Sequence, residues 1–155
     1  CYDAMEQYQS ALLDYDTALE LMPHMSDLWY AKADVLYNTA KVAESFKCYR
    51  RAVELNPSDF ECWFDFGDTA LQLGNIPTAV YAFQKVIELA PDWSEGYYAL
   101  AKIYAAEDMI EDAAKLLASA LKIEPKLQSA YELDFLMFLS DEKIRRLRNA
   151  LANLL

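Results

Sequence analysis

The sequence is poor in the residues that build chemical sites. Among 155 residues there are 3 cysteines, 3 glycines and a single histidine, His24. Cys1, Cys48 and Cys62 cannot all pair within the chain, and none sits in a C-x-x-C or C-x-x-H spacing. A disulfide framework and a Cys/His zinc site are therefore not expected. Buried free thiols in a reducing, cytoplasmic compartment are. No phosphate-cradling G-x-x-x-x-G-K-[ST] loop is present. No apolar run reaches the roughly 18 residues that span a bilayer, and no secretory signal is visible.

Positive charge is also scarce, with 14 Lys+Arg against 25 Asp+Glu and a net charge of −11. Nucleic-acid binding rests on neutralising phosphates with Lys and Arg, so that partner is disfavoured, as is an anionic membrane surface. Nor does any catalytic constellation stand out. Asp65 with Asp68, and Glu107, Asp108, Glu111 and Asp112, read as solvated helix faces or loop residues, while His24 follows Pro23 in a turn. No cofactor, metal or enzymatic activity is expected. What the chain does have is apolar residues, 55% of the total, enough for the core of one or two small domains.

Those residues recur with a fixed period. Pro23, Pro57, Pro91 and Pro125 are 34 residues apart. The same step links Ala11, Ser45, Ala79 and Ala113; Ala18, Ala52, Val86 and Ala120; and Tyr15, Tyr49, Phe83 and Leu117. It also links Trp29, Trp63, Tyr97 and Tyr131, and the small residues Ala33, Gly67 and Ala101. A period of this length marks a solenoid of supersecondary units. Within one period, Trp63, Phe66, Gly67 and Ala70 follow i, i+3, i+4, i+7, one face of a helix. Leu73-Gly74-Asn75 ends it; Asn75 suits an N-cap, and Pro77 falls in the next first turn, where its missing N–H costs nothing. Ala79, Val80, Phe83, Val86 and Ile87 are again helical in spacing, and Pro91 closes the pair. Each repeat is thus two antiparallel helices. Small residues mark their crossings and bulky ones fill the gaps.

These columns resemble the tetratricopeptide repeat, whose pattern runs W-x2-L-G-x2-Y, then A, F, A and P. Full repeats occupy 26–59, 60–93 and 94–127, with a partial repeat at 1–25 and capping helices at 128–155. Lys32 and Ala70 depart from the family's Leu and Tyr and should loosen packing locally. The resemblance implies an all-α, right-handed solenoid forming one domain with a concave face. It also implies that ligand contacts come from positions 2, 5, 9 and 12 of each first helix. Those are Asp27, Tyr30, Asp34 and Tyr37; Glu61, Phe64, Asp68 and Leu71; then Glu95, Tyr98, Lys102 and Ala105. Five carboxylates and one lysine give this face a charge of −4. The Lys/Asn/Arg clamp of the chaperone-binding subset, which grips acidic tails, is absent. A basic or neutral segment is the expected ligand, with Tyr30, Phe64 and Tyr98 offering cation–π contacts. Tyrosine is common at position 5 of the family, and acidic residues favour helix starts, so a purely structural origin stays open.

The two ends differ from the middle. Cys1 falls at position 10 of its repeat, so most of a first helix is missing and the helix around Ala11–Leu21 should expose apolar surface. The native protein is expected to extend further in the N-terminal direction. Residues 131–139 are apolar almost all round and are expected to be buried on several sides. Ser140-Asp141 then offers an N-cap, and Ile144, Leu147, Leu151 and Leu154 form a stripe suited to covering the last repeat. Residues 141–148 hold Lys143, Arg145, Arg146 and Arg148 and carry +2, against −13 for the remainder. This basic face is a possible secondary contact for an acidic partner or for another copy of the chain, giving self-association through the termini. A protein–protein interaction scaffold is the favoured function. The alternatives are a regulatory or substrate-selecting arm of a larger enzyme and a self-assembly scaffold.

Overall fold

The 34-residue period reappears as a repeated backbone turn. In the computed structural model, which describes residues 2–154, the backbone takes a positive φ at Ala40 (59°), Gly74 (72°) and Asp108 (64°). At each turn two N–H groups reach back to orphan carbonyls at a helix end. The pairs are Ala40 to Tyr37 and Lys41 to Leu36; Gly74 to Leu71 and Asn75 to Ala70; Asp108 to Ala105 and Met109 to Tyr104. This is the Schellman termination of a helix. Glycine, which accepts positive φ without strain, occupies only the middle one.

All regular structure among the described residues is helical. In chain order it comprises α1 (Tyr2–Leu21), α2 (Ser26–Asn38), α3 (Val42–Leu55), α4 (Phe60–Gln72), α5 (Ile76–Leu89), α6 (Ser94–Ala106) and α7 (Ile110–Ile123). A 3-10 turn, Pro125–Leu127, leads to α8 (Gln128–Phe138) and α9 (Asp141–Ala152). The helices divide into two units, Cys1–Ala82 and Phe83–Leu155.

In the first unit the small columns are buried where helices cross. Ala33 and Ser45 have no exposure, and the Ser45 hydroxyl donates to the Ala33 carbonyl at 2.9 Å, so its burial leaves no polar group unsatisfied. Trp29 and Trp63 each donate an indole N–H to a proline carbonyl six residues back, Pro23 and Pro57, at 2.9 Å. That bond ties the inter-repeat turn to the helix following it. Asp59 caps α4 through the Cys62 N–H. Cys48 and Cys62 are buried free thiols, both pushed up in pKa by burial, while Cys1 lies outside the described residues.

The second unit has one continuous core. Ala101, Ala105, Ala113, Leu117, Ala120 and Leu121 meet Tyr131, Phe135, Ile144, Leu147 and Leu151 in it. Burial of each large apolar side chain contributes about 1.5–3 kcal/mol. Ser140 caps α9 by accepting the Lys143 N–H, as the sequence predicts.

At the N-terminal end, α1 is one unbroken helix from Tyr2 to Leu21, and Leu13 and Leu21 are exposed on it, the apolar surface that the sequence predicts there. Two expectations about the other end need correction. The apolar segment 131–139 is not buried all round: Tyr131, Phe135 and Leu139 are buried, whereas Leu133 is 64% and Met137 85% exposed. Among its described side chains, α8 turns the stripe of Tyr131 and Phe135 to the core. Leu154 falls beyond the end of α9 and is exposed, so the covering stripe consists of Ile144, Leu147 and Leu151.

Candidate protein-binding face

The predicted face of the first unit is carried by α2 and α4. Asp27 and Glu61, one residue inside each helix start, are exposed and favourably placed against the helix dipole. Tyr30, Asp34 and Tyr37 follow at i+3, i+7 and i+10 on α2 and are half-buried, as are Phe64, Asp68 and Leu71 on α4.

The tyrosine hydroxyls are engaged. Tyr30 Oη donates to Asp65 Oδ2 at 2.7 Å, and Tyr37 Oη donates to Asp68 Oδ2 at 2.8 Å, each bond joining α2 to α4. Tyr49 Oη on α3 donates to Asp34 Oδ1 at 2.5 Å, and its ring meets that of Tyr30 edge-on at 5.6 Å. Gln72 Nε2 adds a second donor to Asp68 at 2.9 Å. Asp65 and Asp68 are therefore not the solvated carboxylates that helical position suggests. Each is half-buried and accepts a tyrosine from the neighbouring helix.

Charge in this region is one-sided. Asp27, Asp34, Glu61, Asp65 and Asp68 make no ion pair among the described residues. Burial, reinforced by Asp34, Asp68 and Glu61, pushes the Asp65 carboxyl up to about 6, although the Tyr30 hydrogen bond works the other way. Burial, then the bond to Asp65, raises Tyr30 above the ordinary tyrosine range.

The predicted residues of the second unit are arranged differently. Tyr98 Oη on α6 donates to Asp134 Oδ2 on α8, and its ring stacks on Tyr131 with centroids 3.8 Å apart. Lys102 Nζ lies 2.8 Å from the same Asp134 oxygen and 5.6 Å from the Tyr98 ring centroid. Asp134 is held below the usual carboxylate range by the hydrogen bonds from Lys102 and Tyr98. Glu95 is half-buried and accepts from the Ser94 hydroxyl at 3.1 Å.

The basic stretch of α9 is not a free cationic face. Lys143 Nζ donates to the Ala106 carbonyl at 3.2 Å and sits 3.7 Å from Asp108. Arg146 pairs with Asp108 at 3.2 Å and with Glu111 at 3.7 Å. The acidic α6–α7 turn thus neutralises half the cluster. Arg145 and Arg148 stay exposed, and neither has an ion-pair partner among the described residues.

Asp65, Tyr49, Gln72 and Asp134 are the members of these networks that the repeat positions do not pick out. Tyr49 carried a signal: like Tyr15, it brings a hydroxyl to a core column where Phe83 and Leu117 bring none, and it is the buried one of the two. A buried hydroxyl needs an acceptor. Asp65 and Asp134 had no such signal, because their partners are 35 and 36 residues away.

Tandem helix hairpins with small residues at their crossings define an all-α helical-repeat protein. A family model described as Anaphase-promoting complex, cyclosome, subunit 3 matches residues 4–86, more than half of the chain, and a Tetratricopeptide repeat model matches residues 70–133. The chain belongs to the tetratricopeptide-repeat family, its larger match being to the subunit 3 branch.

Solved structures agree on the fold. MamA 41-end from Desulfovibrio magneticus RS-1 is similar over 95% of this chain and 83% of its own, with a TM-score of 0.77 at 16% identity. YrrB, described as a TPR protein with an unusual peptide-binding site, is similar over 98% and 80%, with a TM-score of 0.76 at 18% identity. The first TPR of Spaghetti (RPAP3), bound to HSP90 peptide SRMEEVD, is similar over 83% and 92%, with a TM-score of 0.63 at 16% identity. The shared fold is an α-solenoid. No curated protein matches the sequence.

Proposed function

We propose that the chain is a non-enzymatic protein–protein interaction module that holds a basic or neutral segment, an extended peptide or a helix, against its first-helix faces. The observation that carries this reading is the carboxylate set of α2 and α4, which has no ion-pair partner among the described residues. Keeping several like charges half-buried costs stability, and a cationic ligand would recover part of that cost. Two of the similar structures are of TPR proteins described with peptide sites or peptides, which supports a peptide as the ligand class. The Spaghetti ligand, SRMEEVD, has three acidic side chains and one arginine. An acidic face disfavours such a ligand, so the sign of the ligand differs here. Aromatic side chains beside the carboxylates would supply contact area and orientation.

Reversing Asp27, Glu61 and Glu95 to Lys together tests this. Binding of a basic partner, measured by pull-down and by calorimetry at low salt, is expected to be lost. Unchanged affinity would refute a role for this face.

A further inference from the structure

We propose that the face of α9 holding Arg145 and Arg148 is a second docking groove, and that its occupant is an acidic stretch of a partner protein with a small aliphatic residue beside two carboxylates. This groove belongs to α9 and takes a ligand of the opposite sign to that of the first-helix faces, so it stands independently of the proposed function.

The basic cluster of α9 is divided by the helix itself. Lys143 and Arg146 turn to the α6–α7 turn, where the Ala106 carbonyl, Asp108 and Glu111 engage them. Arg145 and Arg148 are exposed, and neither has a hydrogen-bond or ion-pair partner among the described residues. Residues three apart on a helix share a face, with Cβ atoms about 5–6 Å from each other. The fold thus neutralises one half of the cluster and leaves the other half to solvent, in a chain whose net charge is −11.

The two unpaired guanidiniums border a groove. Asp141, Ile144, Arg145, Arg148 and Asn149 line a depression of ≈ 340 Å³, enough for a short peptide stretch. Two arginines against the single carboxylate of Asp141 leave its lining positive. A second, smaller gap of ≈ 20 Å³ adjoins it and shares Ile144 and Arg148. Leu117 of α7, Phe135 of α8, and Leu147 and Leu151 of α9 complete the lining of this gap. It has room for about one water molecule or methyl group, and a water there would find Arg148 as its one polar neighbour. An aliphatic group fits it better, because it fills the gap with contacts and leaves no hydrogen bond unmade.

Together the two features select one ligand. A guanidinium grips a carboxylate through two parallel N–H donors. In an extended chain, residues i and i+2 point to one side about 6.5 Å apart, close to the spacing of Arg145 and Arg148. A segment reading aliphatic-x-acidic-x-acidic therefore offers one carboxylate to each arginine and its aliphatic residue to the gap.

Amide NMR titration of the isotope-labelled full chain at low salt tests this with acetyl-Val-Gly-Glu-Gly-Glu-amide and its uncharged counterpart acetyl-Val-Gly-Gln-Gly-Gln-amide. The acidic peptide is expected to shift amides of α9 and to bind about fivefold more tightly, as two exposed ion pairs allow. Replacing its Val by Gly should weaken binding about twofold and keep the preference for Glu over Gln. The double variant Arg145→Gln, Arg148→Gln should abolish that preference with melting temperature unchanged, whereas Arg145→Lys, Arg148→Lys, which keeps the charge, should retain part of it. Equal affinities for the two peptides, shifts confined to other helices, or a preference that survives the Gln variant would overturn the groove. An unweakened Gly peptide would overturn the aliphatic anchor. Inorganic phosphate binding as tightly as the acidic peptide would reassign the groove to a phosphate ligand. A mass that doubles with concentration in the wild type, and not in the Gln variant, would reassign it to a second copy of the chain. Either reassignment overturns the proposal.

Discussion

Tyr30 and Tyr98 occupy the same place in their repeats, and each gives its hydroxyl to an aspartate on the neighbouring first helix. What surrounds them differs. Around Tyr98, Lys102 neutralises the carboxylate and Tyr131 covers the ring. Around Tyr30, a second carboxylate stands where the lysine would be. One hydrogen-bond design thus serves two purposes. Where the charge is balanced internally, the tyrosine is an element of packing. Where it is not, the tyrosine holds a carboxylate that has no ion-pair partner among the described residues.

The largest effect is expected where the ring is structural. Tyr98→Ala removes a ring stacked on Tyr131 and edge-on to Phe135, and should lower unfolding free energy by about 3 kcal/mol in urea titration. A loss under about 1 kcal/mol would mean that the second unit does not depend on this stack.

Next comes Asp65→Asn, which keeps an acceptor for Tyr30 and removes a half-buried charge. The folded-state pKa of Asp65 is about 6, above its ordinary value of 3.8. Its protonated form is therefore favoured by folding. The stability this provides is complete below about pH 4 and is lost as pH rises through about 6. At pH 7 the variant should be more stable than wild type by about 1–2 kcal/mol, allowing for partial exposure. Melting curves between pH 4 and 7 should also become flatter. A destabilised variant would show that Asp65 is already compensated.

A third change compares turns of the two units. Ala40 holds a left-handed conformation that glycine adopts freely, so Ala40→Gly should stabilise by about 1 kcal/mol. Asp108→Gly relieves the same strain but deletes the anchor of Lys143 and Arg146, and its net gain should be smaller. Equal gains in paired denaturation curves would show that those ion pairs contribute nothing to stability.

The smallest effect belongs to Lys102→Met. Lys102 and Asp134 are each more than a third exposed as side chains, so the loss should stay below about 1 kcal/mol. Its sign with pH is opposite to that of Asp65. Asp134 is lowered in the folded state, so its contribution is present above the ordinary carboxylate pKa and fades as pH falls into the acid range. In the variant, NMR titration should show Asp134 protonating at higher pH than in wild type. An unmoved titration would deny the pairing.

The fold was legible because its signal is local and repeated. The periodic small residues Ala33, Ala79, Ala101, Ala113 and Ala120 are all fully buried, since two helices can approach closely only over small side chains. Asn75 as a cap is similar, its Oδ1 accepting from Thr78 N–H at 3.3 Å: the acceptor and donor are three residues apart. The role of α8 was not legible from composition. Leu133 and Phe135 are both apolar, and only the arrangement of neighbouring helices decides that Phe135 is buried and Leu133 is not. Arg146 and Arg145 are likewise equivalent in the sequence, yet only Arg146 reaches Asp108 and Glu111.

By itself, the sequence determined the helix hairpins, their 34-residue register, the small-residue crossings and the acidic sign of the first-helix face. Each depends on residues near one another along the chain or on a sum over residues, so spacing and counting suffice. The tertiary structure decided which carboxylates are held by tyrosines, which lysine is already paired and which cations of α9 are engaged. Those partners lie 15 to 38 residues apart, and they meet only after packing brings their helices side by side. Net charge was readable as a sum. Only the folded chain shows where that charge is left unbalanced.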